Sequence, residues 1–256
     1  MRVFKVLIKG VKYFKKRLLT LFYKFGLFNF FDSSYLGYYP DSFSDFKAHQ
    51  EFKILSKKFI RFNKRNNAGD ISRLWAIILN VKQLLSDEIE GNFAELGVWR
   101  GNTAAILAYY AKLSNKKVFL FDTFEGFSKK DLKDIDADKK ISFQNTNINL
   151  VKNVIGEESD VCEFVKGYFP SSIQKKHRKE KFCLVSLDCD LYAPTKAGLE
   201  FFYPLMEKHG IFLLHDYSSL HWEGSKRAID EFCELNNEKL ILIPDKSGSA
   251  FFRKNK

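Results

Sequence analysis

The chain lacks several things that would have decided its class at once. None of its four cysteines, Cys162, Cys183, Cys189 and Cys233, pairs in a C-x-x-C spacing. A disulfide framework and a thiolate zinc site are therefore not indicated, and the expected state is reduced thiols in a cytoplasmic protein, buried as small hydrophobes. No uninterrupted apolar run approaches the roughly 20 residues that span a bilayer. No small-residue cleavage site follows the N-terminal segment, so no signal peptide is expected. The dinucleotide fingerprint G-x-G-x-x-G does not occur, and no internal repeat is visible. Acids are missing altogether from residues 1–31, which carry eight Lys or Arg.

That last absence explains most of the net charge. Of the +11 total, the other 225 residues hold only +3. A basic body would point to nucleic acid, whereas a basic tail on a nearly neutral body does not. The tail has apolar residues at Phe4, Leu7, Ile8, Val11, Phe14, Leu18, Leu21, Phe22 and Phe25. This is helical spacing, with Lys5, Lys9, Lys12 and Lys16 on the other face. Such a helix can lie on an anionic membrane surface, or pack on the body or on a second subunit. A homodimer with peripheral contact at the inner membrane face is the corresponding expectation.

The 256 residues, 45% hydrophobic and 29% charged, suit one large α/β domain with a decorated end. The frequent phenylalanines read as genome composition more than as function. Residues 32–48 are turn-rich and aromatic, with Tyr35, Tyr38 and Tyr39, and read as a connector. Residues 49–88 look helical in two pieces broken at 63–70, with Asp70 as the cap of the second. The expected organisation is a basic helix over 1–31, a helical cap region over 32–90 and a catalytic domain over 91–256.

From residue 91 short apolar strands alternate with helical patterns. They are FAELGV (93–98), VFLFD (118–122), CEFVKG (162–167), FCLVSLD (182–188), IFLLHD (211–216), and finally LILIP and SAFFRK joined by the tight link Asp245–Ser249. A helix is expected over TKAGLEFFYPLMEK, between the fourth and fifth strands. The alternation predicts a mostly parallel, Rossmann-like sheet of seven strands with helices on both faces and a C-terminal antiparallel hairpin.

In such sheets ligands bind beyond the C-terminal ends of the strands. Those ends carry Glu95 and Gly97, Asp122, Gly167, Asp188 and Asp190, then His215 and Asp216. In ELGVWRGNT the glycines let backbone approach a ligand, and Asn102 or Thr103 can start the next helix. Glu95 repels pyrophosphate but suits a cation, and an acid ending strand two, Asp122, typically accepts from ribose hydroxyls. Together these describe a site for S-adenosylmethionine. Asp188, His215 and Asp216 could surround one divalent ion, Mg, Mn or a later transition metal. Neighbours on a strand point to opposite faces, so His215 and Asp216 can share an ion only if the backbone turns there.

These residues resemble the macrocin O-methyltransferase (TylF-like) family of class I S-adenosylmethionine-dependent methyltransferases. The resemblance runs from NNAGDISRLW (66–75) to DKSGSAFFRK (245–254), through FAELGVWRGNTAAILA, FLFDTFEGF, VKGYFPSSI, LVSLDCDLYAPTKAGLEFFYPL and LLHDYSSLHWEGSKRAIDEF. It implies the class I sheet, a magnesium ion and methylation of a hydroxyl, often on a sugar of an antibiotic or surface glycan. By position it assigns Glu95, Gly97, Asn102, Asp122, Thr123, Gly167, Phe169 and Asp188 to the cofactor. Asp188, His215 and Asp216 fall to the metal, and Asp190 is the general base. His215–Asp216 stands where the best-characterised members have two consecutive aspartates. Tyr192, Tyr217 and Trp222 are expected at the acceptor. A catechol or amine methyltransferase, and a non-catalytic module bound at a membrane surface, are the alternative readings.

Overall fold

The computed structural model describes residues 50–255. The basic helix expected over 1–31, with its membrane contact, and Tyr35, Tyr38 and Tyr39 lie outside the described residues. Among the described residues no helix is long and apolar enough to cross a membrane.

Among the described residues three helices precede the sheet: α1 (Gln50–Ile60), the short α2 (Lys64–Asn67) and α3 (Ile71–Ser86). Asp70 caps α3 as expected, its side chain accepting from the Arg73 backbone N–H. Leu74, Ile77, Ile78, Val81 and Leu84 recur at helical spacing and are buried. Trp75 stacks on Phe52 of α1 with ring centroids 4.7 Å apart.

Seven strands follow: β1 (Asn92–Leu96), β2 (Val118–Asp122), β3 (Cys162–Lys166), β4 (Phe182–Leu187), β5 (Met206–Leu214), β6 (Ile241–Leu242) and β7 (Ala250–Arg253). Their order is β3-β2-β1-β4-β5-β7-β6, and only β7 runs antiparallel to its neighbours β5 and β6. The central strands are continuous apolar runs because helices cover both faces. Helix α4 (Asn102–Leu113) links β1 to β2, α5 (Ile148–Ile155) precedes β3, α6 (Tyr192–Phe202) links β4 to β5, and α7 (Glu223–Asn236) follows β5. The chain moves outward one way from β1 and the other way from β4. Right-handed crossovers therefore put α4 and α6 on opposite faces.

The phenylalanines turn out to be architectural. Phe119, Phe121, Phe182, Phe202, Phe212 and Phe252 are fully buried, and Phe121, Phe169, Phe201 and Phe202 meet ring against ring. Burying each such ring contributes about 1.5–3 kcal/mol. One element differs from expectation. The helix expected to run through 208 stops at Phe202, and β5 starts as early as Met206. Pro204 lies between, in a 3₁₀ turn, and lacks the N–H that an α-helix would need.

Candidate active site

The reversal of strand order between β1 and β4 opens a crevice. Three leucines end their strands level with one another, Leu96 opposite Leu187 and Leu187 opposite Leu214. The next residue of each strand therefore falls in one row: Gly97, Asp188 and His215. Backbone bonds continue the row, from the Asp188 N–H to the Leu96 carbonyl (2.9 Å) and from the His215 N–H to the Leu187 carbonyl (3.0 Å). A cavity of about 320 Å³ opens above it. Glu95, Gly97, Asn102, Asp122, Thr123, Gly167, Phe169, Asp188, Asp190, His215, Asp216 and Trp222 all line this cavity.

Gly97 has φ +87, and a Cβ there would lie 2.0 Å from the Asp188 carbonyl oxygen. Its first requirement is thus the close approach of β4, with nearness to a ligand as the consequence. Asp122 is more occupied than the sequence suggests: one oxygen accepts from the N–H groups of Val98 and Trp99 (2.7 and 2.9 Å), the other from Phe124 (2.6 Å). A carboxylate has about four acceptor positions, so capacity for a hydroxyl remains. Asn102 spends its amide N–H groups on the Lys58 and Arg61 carbonyls of the helical region, while its Oδ1 is buried without a partner. Thr123 closes a turn onto the Gly126 carbonyl (2.7 Å). Phe169 belongs to the aromatic core and reaches the cavity from it.

Glu95 is buried, with Oε2 unpartnered. Burial, and then the charges of Asp188 and Asp122, push its carboxyl well above the ordinary range. Unpartnered oxygen and surrounding acids make a pocket short of positive charge, which fits a sulfonium or ammonium ligand.

The acids at the ends of β4 and β5 converge as well. The backbone does turn at Asp216, whose φ is +58, and Asp190 is likewise left-handed at +63. Non-glycine residues in this region cost about 1–3 kcal/mol each and concentrate at functional sites. The turn lets His215 and Asp216 face the same space, and one potential ligand atom from each of Asp188, His215 and Asp216 lies within 4.8 Å of the others. His215 Nδ1 is 2.9 Å from Asp188 Oδ1 and 2.6 Å from Asp216 Oδ2. Burial works against charge on His215, but the two carboxylates outweigh it and hold its pKa well above the imidazole value. Burial would likewise raise Asp188, yet His215 holds it below the carboxylate range. Asp190 goes up strongly through burial and then the Asp216 and Asp188 charges, which makes it more basic than an ordinary aspartate.

Sequence reasoning missed Arg73. It reaches the cluster from α3, buried among apolar neighbours, and its Nη1 contacts His215 Nε2. The signal was a charge four residues before Ile77, on the apolar face of the helix. Also missed was the wall built by the insert after β2. Phe127 and Phe143 of the insert pack against each other, Phe143 against Trp99, and both against Trp222. Two expected acceptor residues are elsewhere. Tyr192 and Tyr217 do not line the cavity, because their hydroxyls are drawn onto α7, to Glu231 (2.6 Å) and Asp230 (2.7 Å).

Residues 69–254 match the family described as Macrocin-O-methyltransferase (TylF). Among individual proteins, the chain is 26% identical over 180 residues to mycinamicin III 3''-O-methyltransferase of Micromonospora griseorubida, covering 62% of this chain and 70% of that one. It is 24% identical over 151 residues to 8-demethyl-8-(2,3-dimethoxy-alpha-L-rhamnosyl)-tetracenomycin-C 4'-O-methyltransferase of Streptomyces olivaceus, covering 54% of this chain and 57% of that one. In fold it resembles the calicheamicin methyltransferase CalS11, with a TM-score of 0.60 at 19% identity over 80% of this chain and 93% of that one. The family match takes in the strand-end row, the acid cluster and Arg73 alike, and by it the chain belongs to the macrocin O-methyltransferase (TylF) family of S-adenosylmethionine-dependent methyltransferases.

Proposed function

We propose that the chain methylates a hydroxyl of a sugar, free or carried on a larger molecule, with S-adenosylmethionine as donor and Asp190 as general base. The observation that carries this reading is the junction of two kinds of surface in one cavity. One is the acid-rich end of β1 and β2, and the other is the Asp188–Asp190–His215–Asp216 cluster beside an aromatic wall. The names of two relatives point the same way, one to a 3''-hydroxyl and one to the 4'-hydroxyl of a rhamnosyl product.

Bound S-adenosylmethionine supplies a methyl group on a positively charged sulfur. Glu95, Asp122 and the Gly97 turn hold that donor, with Asn102 Oδ1 and Thr123 beside them and Gly167 and Phe169 toward its base. An alcohol is a weak nucleophile near neutral pH, so its proton must leave as the oxygen attacks. Asp190, more basic than an ordinary aspartate, would accept that proton as the hydroxyl oxygen takes the methyl group and the C–S electron pair is left on the donor's sulfur. Holding both partners in line provides much of the remaining acceleration, up to about 7–11 kcal/mol in well-oriented systems. Phe127, Phe143 and Trp222 offer apolar faces for a sugar ring, and the helical region before residue 91 closes the other side through Asn63, Asn66, Asn67 and Arg73. The setting is surface-polysaccharide or natural-product assembly. The reaction runs without a divalent ion in this reading, because Arg73 against Nε2 leaves His215 Nδ1 as a donor toward Asp188 and Asp216.

Incubation with S-adenosylmethionine and a panel of nucleotide-linked sugars, glycosides, catechols and amines tests the proposal. Methylation confined to sugars supports it. Turnover on catechols or amines alone overturns it.

A further inference from the structure

His215, the imidazole between the two acids of the cluster, is also the residue that Arg73 touches. A guanidinium has five N–H donors and no acceptor. Its Nη1 lies against His215 Nε2, so a neutral ring must accept there and carry its proton on Nδ1. That Nδ1 faces two acceptors, Asp188 Oδ1 at 2.9 Å and Asp216 Oδ2 at 2.6 Å. If the ring is charged instead, Nδ1 carries a proton all the same. In either state the atom between the carboxylates is a donor, and it stands where an ion would need a lone pair.

A metal-ligating histidine has the reverse arrangement. Its free lone pair points at the metal, and its other N–H is given to a carboxylate, carbonyl or water. Arg73 cannot play that part, and it is not free to leave. Its Nη2 donates to Asn67 Oδ1 (2.6 Å), its Nε lies 3.6 Å from Asp70 Oδ2, and the guanidinium sits 4.9 Å from the centre of the Phe59 ring. It also places a fixed positive charge near Asp188, which opposes a second cation there.

We propose that Arg73 commits His215 to hydrogen bonding in place of metal ligation, and that methyl transfer at this site runs without a divalent ion. Arg73 is a positioning residue in this arrangement: with a donor against Nε2, it bars the tautomer that would turn an Nδ1 lone pair toward the carboxylates. Asp188 and Asp216 are then held by the Nδ1–H, and the guanidinium offsets the charge of Asp188. The inference rests on the proposed reaction only for its second half. The first half concerns ion binding and needs no acceptor.

The test titrates Mn²⁺ into chelator-treated protein and follows the free-ion EPR signal, with S-adenosylhomocysteine binding by calorimetry as the control for an intact site. The wild type should show no stoichiometric Mn²⁺ site. His215→Asp, which gives an all-oxygen set, and Arg73→Gln, whose carbonyl can accept from Nε2–H, should each gain Mn²⁺ affinity on the order of 10–100-fold. Turnover on whichever acceptor is found should be unchanged by EDTA. A stoichiometric wild-type site that Asp188→Asn removes overturns the proposal, as does EDTA inhibition reversed by Mg²⁺ or Mn²⁺. Failure of both folded variants to gain the ion overturns it too. Should no sugar be methylated at all, the Mn²⁺ titrations still decide the question.

Discussion

Gly224, in the first turn of α7, lies against the carboxylate of Asp136, so close that a Cβ on Gly224 would fall 2.4 Å from both carboxylate oxygens. The same carboxylate accepts from the Tyr192 N–H at the start of α6 (2.7 Å). One buried acid of the insert thus sits between the N-termini of two helices, where burial pushes its pKa up and the Tyr192 N–H offsets part of that.

Gly224→Ala should therefore push Asp136 out of its seat and loosen the insert from the sheet. The expected cost is about 1–3 kcal/mol, the range for overpacking a tight contact. Urea denaturation measures it. The acceptor KM should rise as well, because the insert carries Phe127 and Phe143.

Asp190→Asn keeps the shape of the side chain and removes the proton acceptor. The fall in kcat should be on the order of 10²–10⁴-fold. Binding of S-adenosylhomocysteine should be nearly unchanged. Near-normal turnover would assign the proton to another group.

Trp222→Ala removes one face of the aromatic wall. Acceptor KM should rise about 2- to 12-fold, equivalent to the 0.5–1.5 kcal/mol of an aromatic contact. The cofactor KM should not follow, since that ring packs on Phe127 and Phe143, neither of which is assigned to the donor. Parallel changes in both constants would count against a wall for the acceptor.

A pH-dependent difference is expected far from the cavity. Burial would raise Glu163, but hydrogen bonds from Lys176 and His177 outweigh it and hold its pKa below the ordinary 4.5. A carboxylate depressed in the folded state adds stability above its unfolded pKa and loses it as pH falls through the folded value. Glu163→Gln should thus lower stability by no more than ~1 kcal/mol at neutral pH, its side chain being partly exposed. The gap between variant and wild type should close below pH 4.5. Chemical denaturation of both proteins across that range is the check, and a constant gap would exclude the ionic origin.

Much of this was legible from residue patterns alone. Continuous apolar runs such as FCLVSLD mark strands buried on both faces, and a sheet of that type puts its ligand groups at the strand ends. The row Gly97, Asp188 and His215 follows from that rule. What periodicity could not convey was the destination of individual side chains. Tyr192 and Tyr217 sit next to the cluster in sequence, yet their hydroxyls find carboxylates on α7. Arg73 is 142 positions from His215 along the chain, and only the packing of α3 reveals their contact. The insert after β2 has no regular period, so its role in walling the cavity left no trace in a pattern-based reading.

The helices ahead of the sheet carry one last implication. A polypeptide beginning at residue 91 would retain all seven strands and every acid of the cluster. It would lose Arg73, the Asn67 side chain that orients it, and the carbonyls of Lys58 and Arg61 that pin Asn102. Such a fragment would keep the outline of a methyltransferase with an unbalanced negative centre. On the role proposed for Arg73, the smallest catalytic unit of this chain is expected to start before its Rossmann sheet does.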